Sequence, residues 1–134
     1  MKCKYFVIQE LVDRHTYELF GEKSWWFFDE KLLTMIDRLR EDLQTPIIVN
    51  NWMWGGNSQW RGLRTYRCGI GADYSAHRFG KAVDMTVRGY TADEVRKYLF
   101  ANINRYPELK GIEMDVSWVH VDVRNDDTLI KFGG

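Results

Sequence analysis

The pattern of hydrophobic and polar positions predicts two helices in the first third of the chain. Residues 6–20 space their apolar side chains helically, and Gly21 can end this segment. A second helix follows, because Asp29 can cap it and apolar residues recur at steps of three and four from there to Pro46. The three apolar residues at 47–49 then predict a short buried strand.

The second half of the chain predicts strands with a helix between them. Residues 81–87 alternate as a strand does, and Thr91 with Glu94 forms a capping box for a helix that runs to about Ile103. Residues 117–123, SWVHVDV, are the clearest strand. Helices first and strands later predict an α+β fold, with helices packed on one side of a mainly antiparallel sheet.

Two segments lack this periodicity. Residues 50–74 are rich in glycine, asparagine, tryptophan and arginine. Structureless segments of this length are usually functional or disordered, and the aromatic residues argue against disorder, so we predict a loop wrapped around a cleft. We assign residues 124–134 at most a short edge strand.

Composition and charge narrow the function classes. The 134 residues suit one domain over 1–134, and the 45% hydrophobic content is that of a folded protein. Nineteen basic and nineteen acidic residues cancel, which disfavours partners recognised through bulk positive charge, such as nucleic acid. The sequence shows neither a secretion signal nor a membrane span, so we expect a soluble monomer made in the cytoplasm.

The two cysteines, Cys3 and Cys68, do not indicate a special site. They are too few for a disulfide framework and lack the paired spacing of a zinc knuckle. We expect two free thiols, with a bridge between them as the alternative.

The two later strands each separate an apolar face from a face with liganding groups. In the first strand Asp84 points to the face away from the valines, and in the second strand His120 and Asp122 do the same. If the strands are neighbours, Asp84 and His120 meet across the sheet, close to His77 from the preceding turn. Each residue alone suits an ordinary surface or core position, as His15 does. Together, two imidazoles and one carboxylate favour a three-ligand site with an open fourth position, which is typical of catalytic zinc.

The residues of both motifs resemble a known family. The segment S-x-H-x-x-G-x-A-x-D at 75–84 and the later W-V-H-V-D resemble the zinc D-alanyl-D-alanine carboxypeptidase family, which includes bacteriophage L-alanyl-D-glutamate endolysins. The resemblance covers roughly residues 46–124. It implies that His77, Asp84 and His120 hold one zinc ion per chain.

The resemblance also implies substrate-binding residues. Members have an arginine in the loop before the first motif that holds a substrate carboxylate. We place this role on Arg64, with Arg61 second and a solvated loop charge as the alternative, because a guanidinium can bind a carboxylate through two parallel hydrogen bonds. Ser75, a structural residue of the motif, and Trp118 are placed beside the substrate. The other tryptophans that either line the cleft or pack within the loop are Trp52, Trp54 and Trp60.

One position departs from the family pattern. Many members have an acidic general base three residues before the second histidine, whereas this chain has Ser117, whose hydroxyl cannot accept a proton at neutral pH. Our first choice of base is therefore Asp115, and our second is Glu113. We expect Asp122 to orient His120, since metal-bound imidazoles commonly donate their other N–H to a carboxylate.

The motifs leave three hypotheses for the function, ranked in this order. The first is a zinc peptidase of the peptidoglycan stem peptide, a D-Ala-D-Ala carboxypeptidase or an endolysin-type endopeptidase, that reaches the cell wall by a phage route. The second is a catalytically inactive cell-wall-binding or phage structural module of the same fold, which the missing acid supports. The third is an aromatic loop that binds carbohydrate or single-stranded nucleic acid, although zero net charge disfavours nucleic acid.

Overall fold

A computed structural model describes residues 1–69 and 74–133, so residues 70–73 of the predicted loop lie outside the described residues. Within the described ranges, three α-helices and five β-strands form an α+β fold. The helices are α1 (Arg14–Phe20), α2 (Glu30–Leu43) and α3 (Ala92–Ala101). The strands are β1 (Ile47–Ile48), β2 (Ala82–Val87), β3 (Gly111–Met114), β4 (Val119–Asp122) and β5 (Ile130–Gly133).

The five strands form one sheet in the order β1-β2-β4-β3-β5. Every pairing is antiparallel except that of β3 with β5, which is parallel. In the register of β2 and β4, Asp84 lies opposite His120 and Ala82 lies opposite Asp122. The predicted mainly antiparallel sheet and the predicted neighbourhood of these two strands are confirmed.

One face of the sheet packs against the helices and forms the core. The buried apolar side chains of α2 and α3 belong to the same cluster as Val83, Met85, Val119 and Val121. Because successive strand residues point to opposite faces, the residues between these four point away from α2 and α3. The fold therefore leaves the second face of β2 and β4 for other contacts.

Capping residues determine where α2 and α3 begin. Asp29 accepts a hydrogen bond from the Lys31 N–H at 2.8 Å and begins α2, and the predicted capping box of Thr91 and Glu94 begins α3. These two helices are confirmed. Asp29 also pairs with Lys81 Nζ at 2.8 Å, which ties the start of α2 to the start of β2.

The single helix predicted over residues 6–20 is wrong. The segment divides into a 3₁₀ helix at Ile8–Glu10 and α1, because Asp13 accepts a hydrogen bond from the Thr16 N–H at 3.1 Å and starts a new helix. A second 3₁₀ helix at Gly21–Phe27 follows α1 without a break. The sequence does not predict β3, and the short edge strand allowed for the tail is β5.

The wrapping loop is ordered by backbone hydrogen bonds over residues 50–69. The Leu63 N–H donates to the Leu11 carbonyl at 2.8 Å, and the Asp84 N–H donates to the Arg61 carbonyl at 2.7 Å. The loop therefore lies beside β2 at Asp84, beyond the two residues of β1 that pair with Val87 and Thr86. In the same described ranges no helix is both long and apolar enough to cross a membrane. Cys3 is a free thiol, so the bridge to Cys68 that the sequence left as an alternative is not observed.

Candidate metal centre

Three buried side chains converge on the sheet face that the helices leave uncovered. Asp84 Oδ1 lies 2.9 Å from His120 Nδ1 and 3.2 Å from His77 Nε2. One ligand atom from each of the three residues lies within 4.8 Å of those of the other two, so the group could hold one metal ion. The structure thus brings together the three residues that the motifs single out, whereas His15 lies on α1.

A short turn positions His77. The residue belongs to a 3₁₀ helix, Ala76–Phe79, in which the Ser75 hydroxyl accepts a hydrogen bond from the His77 N–H at 3.1 Å. Gly80 ends this helix with φ of 67°, and a Cβ at this position would overlap the Phe27 carbonyl oxygen. The serine and glycine of the first motif therefore have structural roles in aiming the histidine.

Hydrogen bonds on the far side of each ring direct one nitrogen of each histidine towards Asp84. His77 Nδ1 lies 2.9 Å from the Gly62 carbonyl oxygen, which can only accept, so Nδ1 is the donor to this oxygen and Nε2 is the nitrogen that faces Asp84. His120 Nε2 lies 2.8 Å from Asp122 Oδ2, which leaves Nδ1 to face Asp84. Two imidazole nitrogens and one carboxylate oxygen are a donor set that zinc accepts, so the residues fit this metal.

The charges at this cluster favour a cation. Burial alone would lower the pKa of His120, but its hydrogen bonds to Asp122 and Asp84 outweigh burial and raise the pKa to about 9. Burial alone would raise the pKa of Asp84, but hydrogen bonds from His120 and His77 hold it well below its usual range. An ion that binds at Nδ1 of His120 would therefore replace the proton that Nδ1 shares with Asp84 Oδ1.

Asp122 is fixed from three sides. Its side chain is fully buried, and Arg124 donates to it twice, from Nε at 2.8 Å and from Nη2 at 2.6 Å. Gly111 lies opposite on β3, and a Cβ at this position would overlap the Asp122 carboxylate. The geometry therefore places Asp122 where it can orient His120, and it adds Arg124 and Gly111 as supports that the sequence did not reveal.

Of the two candidate arginines, only Arg64 reaches the cluster. Its Nη2 lies 3.1 Å from Asp84 Oδ2, and its Nε donates to the Trp60 carbonyl at 2.9 Å. Arg61 instead donates to Thr86 Oγ1 at 3.1 Å and does not line the cleft. Our second choice therefore occupies a position beside β2 rather than beside the site.

An open cleft of about 440 Å³ lies over the cluster. Its lining comprises Arg64, Ser75, Ala76, His77, Asp84, Glu113, Trp118, His120, Arg124 and Phe132. Phe132 packs edge-on against the His120 ring, with the ring centroids 5.2 Å apart. No sequence signal indicated Phe132, because its strand β5 pairs in parallel with a strand far from it in the chain.

The two candidate bases occupy different places. Glu113 lies on the cleft wall, where its Oε1 accepts a hydrogen bond from Trp118 Nε1 at 3.3 Å. Asp115, our first choice, is exposed and does not line the cleft. The physical reason is the backbone, because the positive φ of 63° at Asp115 ends β3 and turns the chain away.

The remaining tryptophans of the wrapping loop lie elsewhere. Trp52 Nε1 donates to the Val12 carbonyl at 2.8 Å, and Trp54 is 63% exposed. Trp60 contributes its carbonyl oxygen to Arg64 rather than its ring to the cleft. Of the tryptophans that the sequence offered for the cleft, these three therefore do not line it.

The family model described as Peptidase M15 matches residues 4–122 of the chain. This range includes both motifs and extends well beyond the roughly 46–124 covered by the resemblance seen in the sequence. Comparisons with curated proteins and with solved structures give no significant match.

Proposed function

The chain belongs to the peptidase M15 family of zinc metallopeptidases, and we propose that it is a zinc-dependent enzyme that hydrolyses peptide bonds of the peptidoglycan stem peptide. The observation that carries this proposal is the convergence of His77 Nε2, Asp84 Oδ1 and His120 Nδ1 at the floor of an open cleft. Three protein ligands under an accessible cleft are typical of catalytic zinc rather than structural zinc. We also propose a bacteriophage origin, because the two motifs resemble those of bacteriophage endolysins.

When bound at these three atoms, zinc supplies Lewis-acid polarisation of the scissile carbonyl. The protein holds the ligands in place beforehand, since the Gly62 carbonyl fixes His77 and Asp122 fixes His120. A cluster fixed in this way loses little conformational entropy when the metal binds.

We assign the general base to Glu113. Glu113 lines the same cleft as His77, Asp84 and His120, and the Trp118 indole N–H donates to one of its carboxylate oxygens. In this role Glu113 takes a proton from the attacking water and returns it to the leaving amine. In this proposal Glu113 supplies the acid that is missing at Ser117.

We assign recognition of a substrate carboxylate to Arg64. Its side chain is 13% exposed, and its Nη1 has no hydrogen-bond partner in the described part of the chain. The hydrogen bonds from Nε and Nη2 to Trp60 and Asp84 hold the guanidinium in one plane at the cleft. A planar group fixed in this way can present its remaining N–H groups to a carboxylate.

Hydrolysis of purified peptidoglycan tests the proposal. We expect clearing that disappears with a chelator and returns with zinc, and mass spectrometry of the released fragments would identify the bond that is cut. The Glu113→Gln variant should bind zinc and not clear. Stoichiometric zinc in the unaltered protein without any clearing would instead support the inactive cell-wall-binding or phage structural module.

A further inference from the structure

The cleft continues past Arg124 into a groove with a positive lining. Arg124, Ser75 and Ala76 line both the cleft and a hollow of about 300 Å³. Arg124 and Lys81 in turn line both this hollow and a larger groove of about 480 Å³. The charged residues of this groove, which we call the lysine groove, are Lys31, Lys81, Lys110, Arg124, Glu108 and Asp126.

Several of these charges are already compensated. Lys81 pairs with Asp29 at 2.8 Å, Arg124 binds the buried Asp122, and Glu108 pairs with Arg38 at 2.7 Å. These groups contribute little net field to a ligand.

Two lysines remain without a carboxylate partner. Within residues 1–69 and 74–133, neither Lys31 nor Lys110 has a carboxylate oxygen within 4.0 Å, and the Lys110 Nζ contacts only the Asp127 carbonyl oxygen at 3.4 Å. Lys31 interacts electrostatically with Asp29, which already pairs with Lys81. The remaining acid of the groove lining is Asp126, which lies near Arg124 and accepts a hydrogen bond from the Thr128 N–H at 3.2 Å. The whole chain has zero net charge, so this local excess of positive charge is a feature of the groove and not of the composition.

We propose that the lysine groove binds a second carboxylate of the substrate, on a part of the peptide that extends from the cleft past Arg124. This inference rests on the proposed function, because it takes the ligand to be the peptide held at the metal centre. Lysine ammonium groups suit this task, since they are mobile point charges that attract a carboxylate without requiring one fixed geometry. The substrate class is therefore an acidic peptide, with one carboxylate at Arg64 and another at Lys31 and Lys110.

The test compares two stem-type peptides that differ in one group. One carries a γ-linked glutamate with a free α-carboxylate, and the other carries the same residue with that carboxylate amidated. Binding of each is measured by calorimetry to the full chain with its metal removed by a chelator, so that no hydrolysis is needed. The variant is Lys31→Gln with Lys110→Gln, and the matched control is Lys2→Gln with Lys97→Gln, two exposed lysines that do not line the groove.

We expect the peptide with the free carboxylate to bind about 3- to 10-fold more tightly than the amidated peptide. This difference in affinity is what two partly exposed charge pairs, one with each lysine, contribute. The preference should fall with added salt, disappear in the groove variant and persist in the control. An equal preference in both variants would overturn the inference. So would binding of a glycerol-phosphate polymer that depends on Lys31 and Lys110 when the acidic peptide shows no such dependence.

The readout also separates this inference from the proposed function. Loss of preference in the groove variant, with no hydrolysis by the zinc-loaded protein, would support the groove and contradict the enzyme. Hydrolysis with no difference between the groove variant and the control would do the reverse.

Discussion

Asp84 and His120 lie directly opposite each other on β2 and β4, with Oδ1 and Nδ1 2.9 Å apart. The pairing joins two residues that are 36 positions apart in the chain. It depends on the register of the sheet, because a shift of one residue would turn one of the two side chains into the helix-covered core.

Metal content is the first prediction. Purified protein should contain about one zinc ion per chain, and His77→Ala should lose it, because removal of one of three ligands leaves too few donors. The measurement is elemental analysis of protein prepared in zinc-containing buffer. The matched control is His15→Ala on α1, which should keep the zinc. Equal zinc in both variants would contradict the assignment of the metal centre.

The general base is the second prediction. Glu113→Gln should lower kcat by about 10²- to 10⁴-fold, which is the usual contribution of a positioned acid–base group. Asp115→Asn should stay within about twofold, because Asp115 is exposed outside the cleft. Hydrolysis rates are compared at equal zinc content. A larger loss for Asp115→Asn would restore our first choice from the sequence.

The orientation of His120 is the third prediction. Asp122→Asn should weaken zinc binding by about 10- to 100-fold, which is the usual effect of replacing a residue that hydrogen-bonds to a metal ligand. Competition with a chromophoric chelator measures this affinity without any activity assay. Arg124→Gln should change the affinity in the same direction and by less, since Asp122 keeps its contact with His120. Unchanged zinc affinity in Asp122→Asn would show that the aspartate only packs there.

The close approach of β3 to Asp122 is the fourth prediction. Gly111→Ala should lower the free energy of unfolding by about 1–3 kcal/mol, because the new methyl group overlaps a buried carboxylate held by Arg124. Gly133→Ala in β5 is the control, since a Cβ there meets no atom within 4 Å. Denaturant unfolding of both variants gives the comparison, and equal stabilities would argue against the close contact.

The tie between Asp29 and Lys81 is the fifth prediction. Burial alone would raise the pKa of Asp29, but the hydrogen bonds from Lys81 and the Lys31 N–H outweigh it and lower the pKa. A folded-state pKa below the unfolded value stabilises the protein above about pH 4, and this stabilisation is lost as the pH falls through the folded value.

The variant Asp29→Ala should therefore be less stable than the unaltered protein by about 1 kcal/mol near pH 7, where it also loses the helix cap. Urea unfolding at several pH values should show this difference shrinking below about pH 4. A difference that grows as the pH falls would contradict the lowered pKa of Asp29 in the folded protein.

The sequence was sufficient for features that depend on local signals. The α2 and α3 helices have capping residues and regular apolar spacing, and β2 and β4 alternate clearly, so the faces of Asp84 and His120 could be predicted before their distance was known. The metal cluster could be predicted from the sequence for the same reason, since strand alternation and one short turn are enough to orient its side chains.

The features that the sequence did not reveal depend on contacts between distant segments. Nothing local in GIEM marks β3, whose pairing with β4 and β5 defines it. The choice between Asp115 and Glu113 depended on where β3 ends, which a positive φ at Asp115 decides. The false helix over residues 6–20 arose because the apolar spacing continues through Asp13, where a new helix is capped.

The hydrogen bond from the Asp84 N–H to the Arg61 carbonyl makes amide exchange at Asp84 a measure of how often the wrapping loop detaches from β2. The amide belongs to β2, which has a neighbouring strand on each side, yet its acceptor belongs to the loop that wraps beside β2. Deuterium uptake at this one amide therefore follows each detachment of that segment rather than global unfolding. Occupancy of the centre by a cation should slow the uptake, because detachment also removes the carbonyl that holds His77.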